Sequence, residues 1–215
     1  MTLILVAHGT RDPAGVRVIH DLAALVRVRV PVKVAFADVC EPTVDTVLRS
    51  VSGPAVVVPA FLSSGYHVHT DLPAQVGGRA VLTPPLGPAP TLVAAMHDRL
   101  RTAGWHPGTP IVMAAAGSAN PHALADTRRA ATLLSLRTGV PVQIGYVTTA
   151  SPRLSDVVRR GVAVASWLLA PGAFHRAVTD AGVGVVSEPI GAHPRVAQLI
   201  AQRYAGIIAL STTLT

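Results

Sequence analysis

Cysteine is almost absent from this chain of 215 residues, in which Cys40 is the only example. One thiol cannot form an intrachain disulfide, a paired-cysteine zinc site or an iron–sulfur cluster held by cysteines of the same chain. Lysine is as scarce, with Lys33 alone, so arginine carries nearly all of the positive charge. The sequence therefore predicts no disulfide framework and no iron–sulfur cluster.

Aromatic residues make up 4% of the chain and charged residues 13%, although the formal net charge is +7 and the pI about 11.0. Proteins that bind nucleic acids usually combine clustered basic residues with stacking aromatics. Here the arginines are scattered apart from the pairs Arg128-Arg129 and Arg159-Arg160, which are typical of solvated helix faces, so we expect no nucleic-acid partner. A positive field can equally concentrate a small molecule that carries several carboxylates.

Several familiar sequence signals are missing. No apolar stretch of membrane-spanning length escapes interruption by proline, glycine or charge, and the start MTLILVAHG has no basic segment before its apolar run. We therefore expect a cytoplasmic protein without signal peptide or membrane contact. The patterns GxGxxG, GxxxxGKS/T and GxSxG are also absent, which argues against the usual dinucleotide, Walker A and nucleophile-elbow sites.

What the chain does contain is an alternation of short apolar runs and helix-like stretches. In the first half, the runs 3–7, 32–37, 55–59 and 80–82 alternate with the stretches 14–28, 43–51, 72–76 and 91–103. In the first of these helices, Ile19, Leu22 and Leu25/Val26 share one face. Near-continuous apolar strands between helices predict an α/β fold with a parallel sheet covered on both faces.

The second half repeats this order. Strands are predicted over 111–115, 140–146, 162–169 and near 183–186, and helices over 121–136, 154–160, 172–181 and 194–204. Pro42 in CEPT corresponds to Pro152 in ASPR, and Gly65 in SSGYH corresponds to Gly172 in APGAF. The counterparts are about 110 residues apart, which indicates an internal duplication. We predict domains 1–106 and 107–215, joined in the segment TAGWHPGTP.

Three chemically competent side chains follow predicted strands in the first half: His8, Glu41 and His67. The carboxyl edge of an open α/β sheet is where ligands bind, so we expect them to converge there. Taken singly, each has an ordinary structural explanation, such as a surface histidine or a carboxylate near a helix N-terminus. The second half has Ala116, Ser151 and Phe174 at the matching places. We therefore predict one active site, in the first domain, with the degenerate second domain closing the cleft.

Neighbouring residues suggest supporting roles. His67 and His69 would point to one side in a strand and diverge in a helix. Asp71 is a candidate for orienting a histidine, or for capping the helix that follows. Arg11 is placed to pair with a substrate carboxylate or with the adjacent Asp12.

Two imidazoles and a carboxylate are ligands suited to divalent iron, cobalt, nickel or zinc. A site with so few protein ligands leaves coordination positions open, which suits delivery of a metal better than its storage. The same groups can accept protons near neutral pH.

The segments VAHGTRDP, CEPTV and FLSSGYHVHTDLP, in this order and spacing, resemble the class II tetrapyrrole chelatases, and among them the long, two-domain sirohydrochlorin cobalto- and ferrochelatases. The resemblance implies two similar chelatase-like (flavodoxin-like) domains. It also implies insertion of Co²⁺ or Fe²⁺ into sirohydrochlorin without ATP, in siroheme or cobalamin biosynthesis. The substrates would be the metal (Co²⁺, Fe²⁺ or Ni²⁺) and a tetrapyrrole with a rim of carboxylates, and no organic cofactor is expected.

The resemblance implies that His8 and His67 correspond to the family's metal-binding histidines and Glu41 to its acidic residue. These three are the predicted catalytic residues. The predicted substrate contacts are Arg11, Ser64, Gly65 and His69, the last at a position that varies in the family, and Asp71 is the predicted partner of a histidine.

Two other functions fit the residues. One is a non-catalytic carrier of a tetrapyrrole or a metal, which would use the same cleft. The other is an α/β protein that binds a nucleotide or phosphate through its basic charge. The physiological metal and the assembly, a monomer or a small homo-oligomer, are left open by the sequence.

Overall fold

The computed structural model of the chain describes residues 1–27, 30–181 and 184–213. In chain order the elements are β1 Thr2–Ala7, α1 Pro13–Arg27, β2 Val32–Phe36, α2 Val44–Arg49, β3 Ala55–Pro59, a π-helical turn His67–Asp71, α3 Leu72–Val76, β4 Val81–Leu82, α4 Pro90–Thr102, β5 Ile111–Ala115, α5 Pro121–Thr138, β6 Val142–Tyr146, α6 Leu154–Val157, β7 Ala163–Trp167, α7 Ala173–Ala181 and α8 Pro194–Thr213. They form two compact units, Met1–Leu86 with Ala192–Thr215, and Gly87–Gly191.

The first unit is built on a parallel sheet with strand order β2-β1-β3-β4. Its central strand β1 is buried almost along its whole length, since both neighbours pair with it and helices cover both faces. Leu3 pairs with Val32 on one side and Val56 on the other. The predicted α/β class is confirmed, because these apolar strands lie inside the sheet.

Helix α1 is amphipathic, and its buried residues are Gly15, Ile19, Leu22, Ala23 and Val26. The predicted buried face is confirmed for Ile19 and Leu22. Of the predicted pair Leu25 and Val26, Val26 is the buried residue. Leu25 is 42% exposed, because it lies about 100° around the helix from Val26.

The second unit has a sheet with strand order β6-β5-β7, which matches β2-β1-β3 of the first. In place of a fourth strand, Val186 forms an isolated parallel bridge with Val164; residue 183 of the predicted strand lies outside the described residues. Helix α8 continues to Thr213, beyond its predicted end at 204.

The loops at the carboxyl edges of the two sheets have the same pattern of backbone hydrogen bonds, each within its own unit. Phe36 donates its amide to Pro42 in the first unit, and Tyr146 donates to Pro152 in the second. Both prolines follow cis peptide bonds. The same strand order and the same turns recur about 110 residues apart, as an internal duplication requires.

The fourth helix of each half packs in the unit of the other half. Helix α4 packs against β7 and α5, and α8 packs against β3 and α1. The compact units therefore differ from the predicted domains 1–106 and 107–215, which keep each helix with its own half. The sequence could not reveal this exchange, because an apolar helix face does not specify which of two similar sheets it covers.

Each unit has its own apolar core. Ile4, Val6 and Val57 belong to the core of the first unit, and Val112, Ala114 and Val164 belong to the core of the second.

Among the residues described, no helix combines the length and the hydropathy needed to cross a bilayer.

Candidate active site

The candidate site lies at the carboxyl edge of the first sheet, where three strands end side by side. His8 directly follows β1, the central strand, and His67 lies on the segment that follows β3. Asp38 follows β2, and its amide donates to the carbonyl of His8 over 2.9 Å. Parallel strands with buried bodies thus bring side chains that are distant in sequence to one edge.

The two predicted metal-binding histidines are in contact. Their ring centroids are 4.4 Å apart, and the ring planes are nearly perpendicular at 85°. Phe61 stacks on the His67 ring at 6.1 Å, and the Tyr66 ring meets it edge-on at 5.8 Å. Aromatic neighbours limit the rotation of His67, so the imidazole pair is held in one arrangement.

A chain of hydrogen bonds fixes His67 to the sheet. His67 Nδ1 lies 2.7 Å from Asp71 Oδ2, and Gln75 Nε2 donates to Asp71 Oδ1 over 2.8 Å. The same Gln75 nitrogen donates to the carbonyl of Ala37, at the end of β2, over 3.0 Å. Residues 67, 71 and 75 are spaced by four, so they lie on one helical face.

The pKa of Asp71 is lowered from its ordinary value. Burial favours the neutral carboxyl and would raise it, but the hydrogen bonds from His67 and Gln75, with the charges of His67 and His8, outweigh that effect. Asp71 is therefore a carboxylate at neutral pH.

The hydrogen-bond partners also determine the tautomers of the two imidazoles. Asp71 Oδ2 and the Gly9 carbonyl, which lies 3.2 Å from His8 Nδ1, can only accept hydrogen bonds. Each Nδ1 must therefore carry the proton, which leaves the lone pair of a neutral ring on Nε2. Both rings can present Nε2 to a metal ion or a proton.

Gly9 makes this packing possible. Its φ is +99°, and a Cβ at this position would lie 2.1 Å from the Asp38 carbonyl oxygen and 2.9 Å from Cys40 Sγ. Thr10 donates its amide to the same sulfur over 3.4 Å. Because only glycine tolerates both the conformation and the contact, the loop after β2 can lie directly on the chain after His8.

Glu41 is differently engaged. Its side chain is exposed, and Oε2 accepts the Thr43 amide over 2.9 Å just before α2. Asp38, which the sequence analysis did not single out, is the acidic residue whose backbone is bonded to His8. No group of three or more His, Cys, Asp or Glu side chains is arranged to hold a metal in the part of the chain that the structure describes.

The predicted substrate contacts lie around the imidazole pair. The Gly65 carbonyl accepts the amides of Val68 and His69 and so begins the π-helical turn. His69 is exposed and helical, so it diverges from His67 as a helical HxH unit must. The Arg11 side chain is exposed and forms no ion pair with a carboxylate of the described residues. Ser64 is half-buried.

Gln75 was the other functional candidate that the sequence analysis missed. Its spacing from Asp71 equals the spacing of Asp71 from His67, which is a signal only if the whole segment is helical. The HTD sequence before Leu72 and Pro73 gave no sign that a π-helical turn precedes α3 without a break.

Known proteins resemble this chain over almost its full length. The sequence model of the family described as CbiX matches residues 2–103 and again 110–207. The sirohydrochlorin cobaltochelatase of Methanothermobacter thermautotrophicus is 28% identical over 130 residues, which are 47% of this chain and 91% of that protein. Its counterpart from Methanopyrus kandleri is 33% identical over 84 residues, 36% of this chain and 59% of that protein.

Solved structures have the same fold. SirB from Bacillus subtilis, with Fe³⁺, superposes with a TM-score of 0.81 at 22% identity and covers 99% of this chain and 97% of its own. CbiX, described as the terminal enzyme of siroheme biosynthesis in denitrifying bacteria, gives a TM-score of 0.70 at 23% identity, over 95% of this chain and 98% of its own. At these identities, the likeness shows that the two-unit architecture is shared.

Proposed function

The chain belongs to the CbiX family, and from this membership we propose that it inserts a divalent metal ion into sirohydrochlorin. The three curated relatives that match in sequence are named sirohydrochlorin cobaltochelatases. The observation that carries the proposal is the contact between His8 and His67, with Nε2 of each ring left for a ligand. We propose these two histidines as the metal-binding and catalytic residues.

Metal insertion exchanges two pyrrole N–H protons for one dication, so it needs a metal-delivering group and a proton acceptor on the same side of the ring. Two imidazoles in contact can divide these tasks, since Nε2 of a neutral ring serves either one. A proton taken up by His67 would be stabilised by the Asp71 carboxylate at 2.7 Å. The exchange changes no oxidation state and involves no nucleotide, so we propose that it needs neither ATP nor an organic cofactor.

Acidic groups of the same edge complete the proposed mechanism. Asp38 is tied to His8 by a backbone hydrogen bond, and its Oδ1 accepts the Val39 amide over 2.7 Å, as Glu41 accepts the Thr43 amide. We propose Asp38 beside Glu41 as a carboxylate that passes protons from the imidazole pair to water once it leaves that amide. Glu41 stays a predicted catalytic residue, and its carboxylate would have to leave the Thr43 amide to act. We propose Arg11 as a partner for a carboxylate on the substrate rim, because its guanidinium is exposed and the formal net charge of +7 attracts such a substrate.

Cobalt is the metal that the names of the curated relatives favour. Imidazole ligands accept Fe²⁺ and Ni²⁺ as well, so the choice of metal is an experimental variable. The cytoplasmic location, the absence of nucleic-acid and membrane partners, and a monomer or small homo-oligomer stay predictions from the sequence.

The test is anaerobic absorbance spectroscopy of sirohydrochlorin in large excess over protein, with Co²⁺, Fe²⁺ or Ni²⁺ added in turn. We expect many equivalents of ring to be metallated per protein, whereas a carrier would give only a stoichiometric change. His67→Ala should keep the fold and lower the rate by at least ~100-fold, the usual contribution of a positioned base. His106→Ala, at an exposed histidine of the other unit, is the matched control. Full activity of the His67 variant would contradict the site.

A further inference from the structure

The turn Asp38–Cys40 contains an unusual backbone conformation. Val39 has a φ of 68°, whereas every other positive φ among the described residues belongs to a glycine. The Cys40 amide donates to the Asp38 carbonyl over 2.7 Å, which closes a three-residue turn around Val39. A β-branched side chain is strained in this left-handed region, and glycine would relieve the strain.

This strained turn is fastened to the chain around His8 on both sides of Val39. Before it, the Asp38 amide donates to the His8 carbonyl over 2.9 Å. After it, Cys40 Sγ accepts the Thr10 amide over 3.4 Å. The Val39 side chain is nevertheless 47% exposed, so the strain is not compensated by burial in a core.

The duplicated loop shows that the strand pairing does not require this conformation. In the second unit, the Thr148 amide donates to the Ala116 carbonyl over 2.8 Å, as Asp38 does to His8. Thr149, the counterpart of Val39, is not among the described residues with a positive φ. The strain is thus confined to the copy that carries the histidines, and such strain tends to persist where function uses it.

A second exposed apolar side chain lies beside the other imidazole. Tyr66 immediately precedes His67, is 63% exposed, and meets the His67 ring edge-on at 5.8 Å. Each histidine therefore has one exposed apolar side chain associated with it. Tyr66 precedes His67 in the chain, and Val39 follows Asp38, whose amide is hydrogen-bonded to the His8 carbonyl. Imidazoles can serve the centre of a macrocycle, but its broad apolar face needs apolar partners to leave water.

We propose that Val39 and Tyr66 bind the apolar face of the tetrapyrrole and hold its centre over the imidazole pair. This inference rests on the proposed function and names residues of the substrate site that the family pattern did not supply. Neither side chain has a step in the proposed metal exchange, so their effect falls on substrate binding.

The test compares Val39→Gly with Thr149→Gly. Val39→Gly should have a thermal midpoint about 2 °C above that of Thr149→Gly, because both variants add freedom to the unfolded chain and only Val39→Gly relieves strain. It should also raise KM for sirohydrochlorin roughly fivefold, because an apolar contact is lost, with kcat within about twofold. Thr149→Gly should leave KM unchanged. Tyr66→Ala should raise KM in the same way, and Tyr66→Phe should restore it.

Several results would overturn the inference. An unchanged KM in Val39→Gly or Tyr66→Ala would remove these residues from the substrate site, and a midpoint in Val39→Gly no higher than that in Thr149→Gly would show that the turn is not strained. Equilibrium binding of metal-free sirohydrochlorin, followed by its absorbance, should weaken by the same factor as KM rises. If wild type turns over and the variants match it, only this inference fails; if wild type neither binds nor metallates the ring, the proposed function fails with it.

Discussion

Asp71→Asn should disable the site without removing an atom from its packing. The carboxylate accepts from two donors at once, His67 Nδ1 at one oxygen and Gln75 Nε2 at the other. Asparagine has one acceptor oxygen and one donor nitrogen in their place. If its oxygen faces His67, its nitrogen opposes the Gln75 donor. If Gln75 turns its amide to match, the Ala37 carbonyl loses its partner.

The magnitude follows from the contact that is lost. A hydrogen bond with one ionised partner contributes about 1.5–3 kcal/mol, and the charge that would stabilise a protonated His67 disappears as well. This predicts a fall in kcat of roughly 10- to 100-fold, in the range found for residues that orient a metal-binding histidine. The free energy of unfolding should fall by only about 1 kcal/mol, because the pair is partly open to water.

A double-mutant cycle separates this role from a merely structural one. Kcat and KM for sirohydrochlorin would be measured anaerobically for Gln75→Met, Asp71→Ala and the double variant, with Gln202→Met on the surface of α8 as control. If Gln75 acts through Asp71, its substitution lowers kcat in the wild type and has no further effect in Asp71→Ala. Equal effects in both backgrounds, or a kcat for Asp71→Asn within twofold of wild type, would refute this reasoning.

Two further predictions concern stability. Gly9→Ala should lower the free energy of unfolding by at least ~3 kcal/mol, since left-handed strain of about 1–2 kcal/mol is joined by a backbone clash. Gly53→Ala, with φ +90° and open space around the new Cβ, should lower it only by the strain. Equal urea midpoints for the two variants would contradict this. Burial, and then the charge of Arg137, lowers the pKa of His97, so the unfolded chain takes up the proton first and the free energy of unfolding should decline as the pH falls below about 6.5. The decline in the free energy of unfolding between pH 7.5 and pH 5.5 should be smaller in His97→Leu, and an unchanged pH dependence would count against a half-buried, neutral His97 ring.

Much of the fold follows from the sequence, because parallel strands covered on both faces leave a strong apolar signature. The runs at β1 and β3 needed no tertiary information, and they place His8 and His67 at the same sheet edge. The expected contact between these two histidines follows from that edge alone. Repeated landmarks likewise predicted two similar units.

The details that the sequence left open depend on local geometry that the sequence does not encode visibly. The HVHTD segment could be extended or helical, and only its π-helical form separates His69 from His67 and aligns Asp71 with Gln75. Glu41 looked equivalent to the histidines because it also follows a strand. Its oxygen instead accepts the nearby Thr43 amide, a competition that spacing cannot show.

The exchange of α4 and α8 has a consequence for how the protein is made. The first unit draws its last helix from residues 194–213, so the sheet that carries His8 and His67 stays uncovered along β3 until the other half has been synthesised. The second unit receives α4 before any of its own strands exist. During translation the histidine-bearing unit therefore begins before the other unit and is completed after it, so the site matures only when both halves have been made.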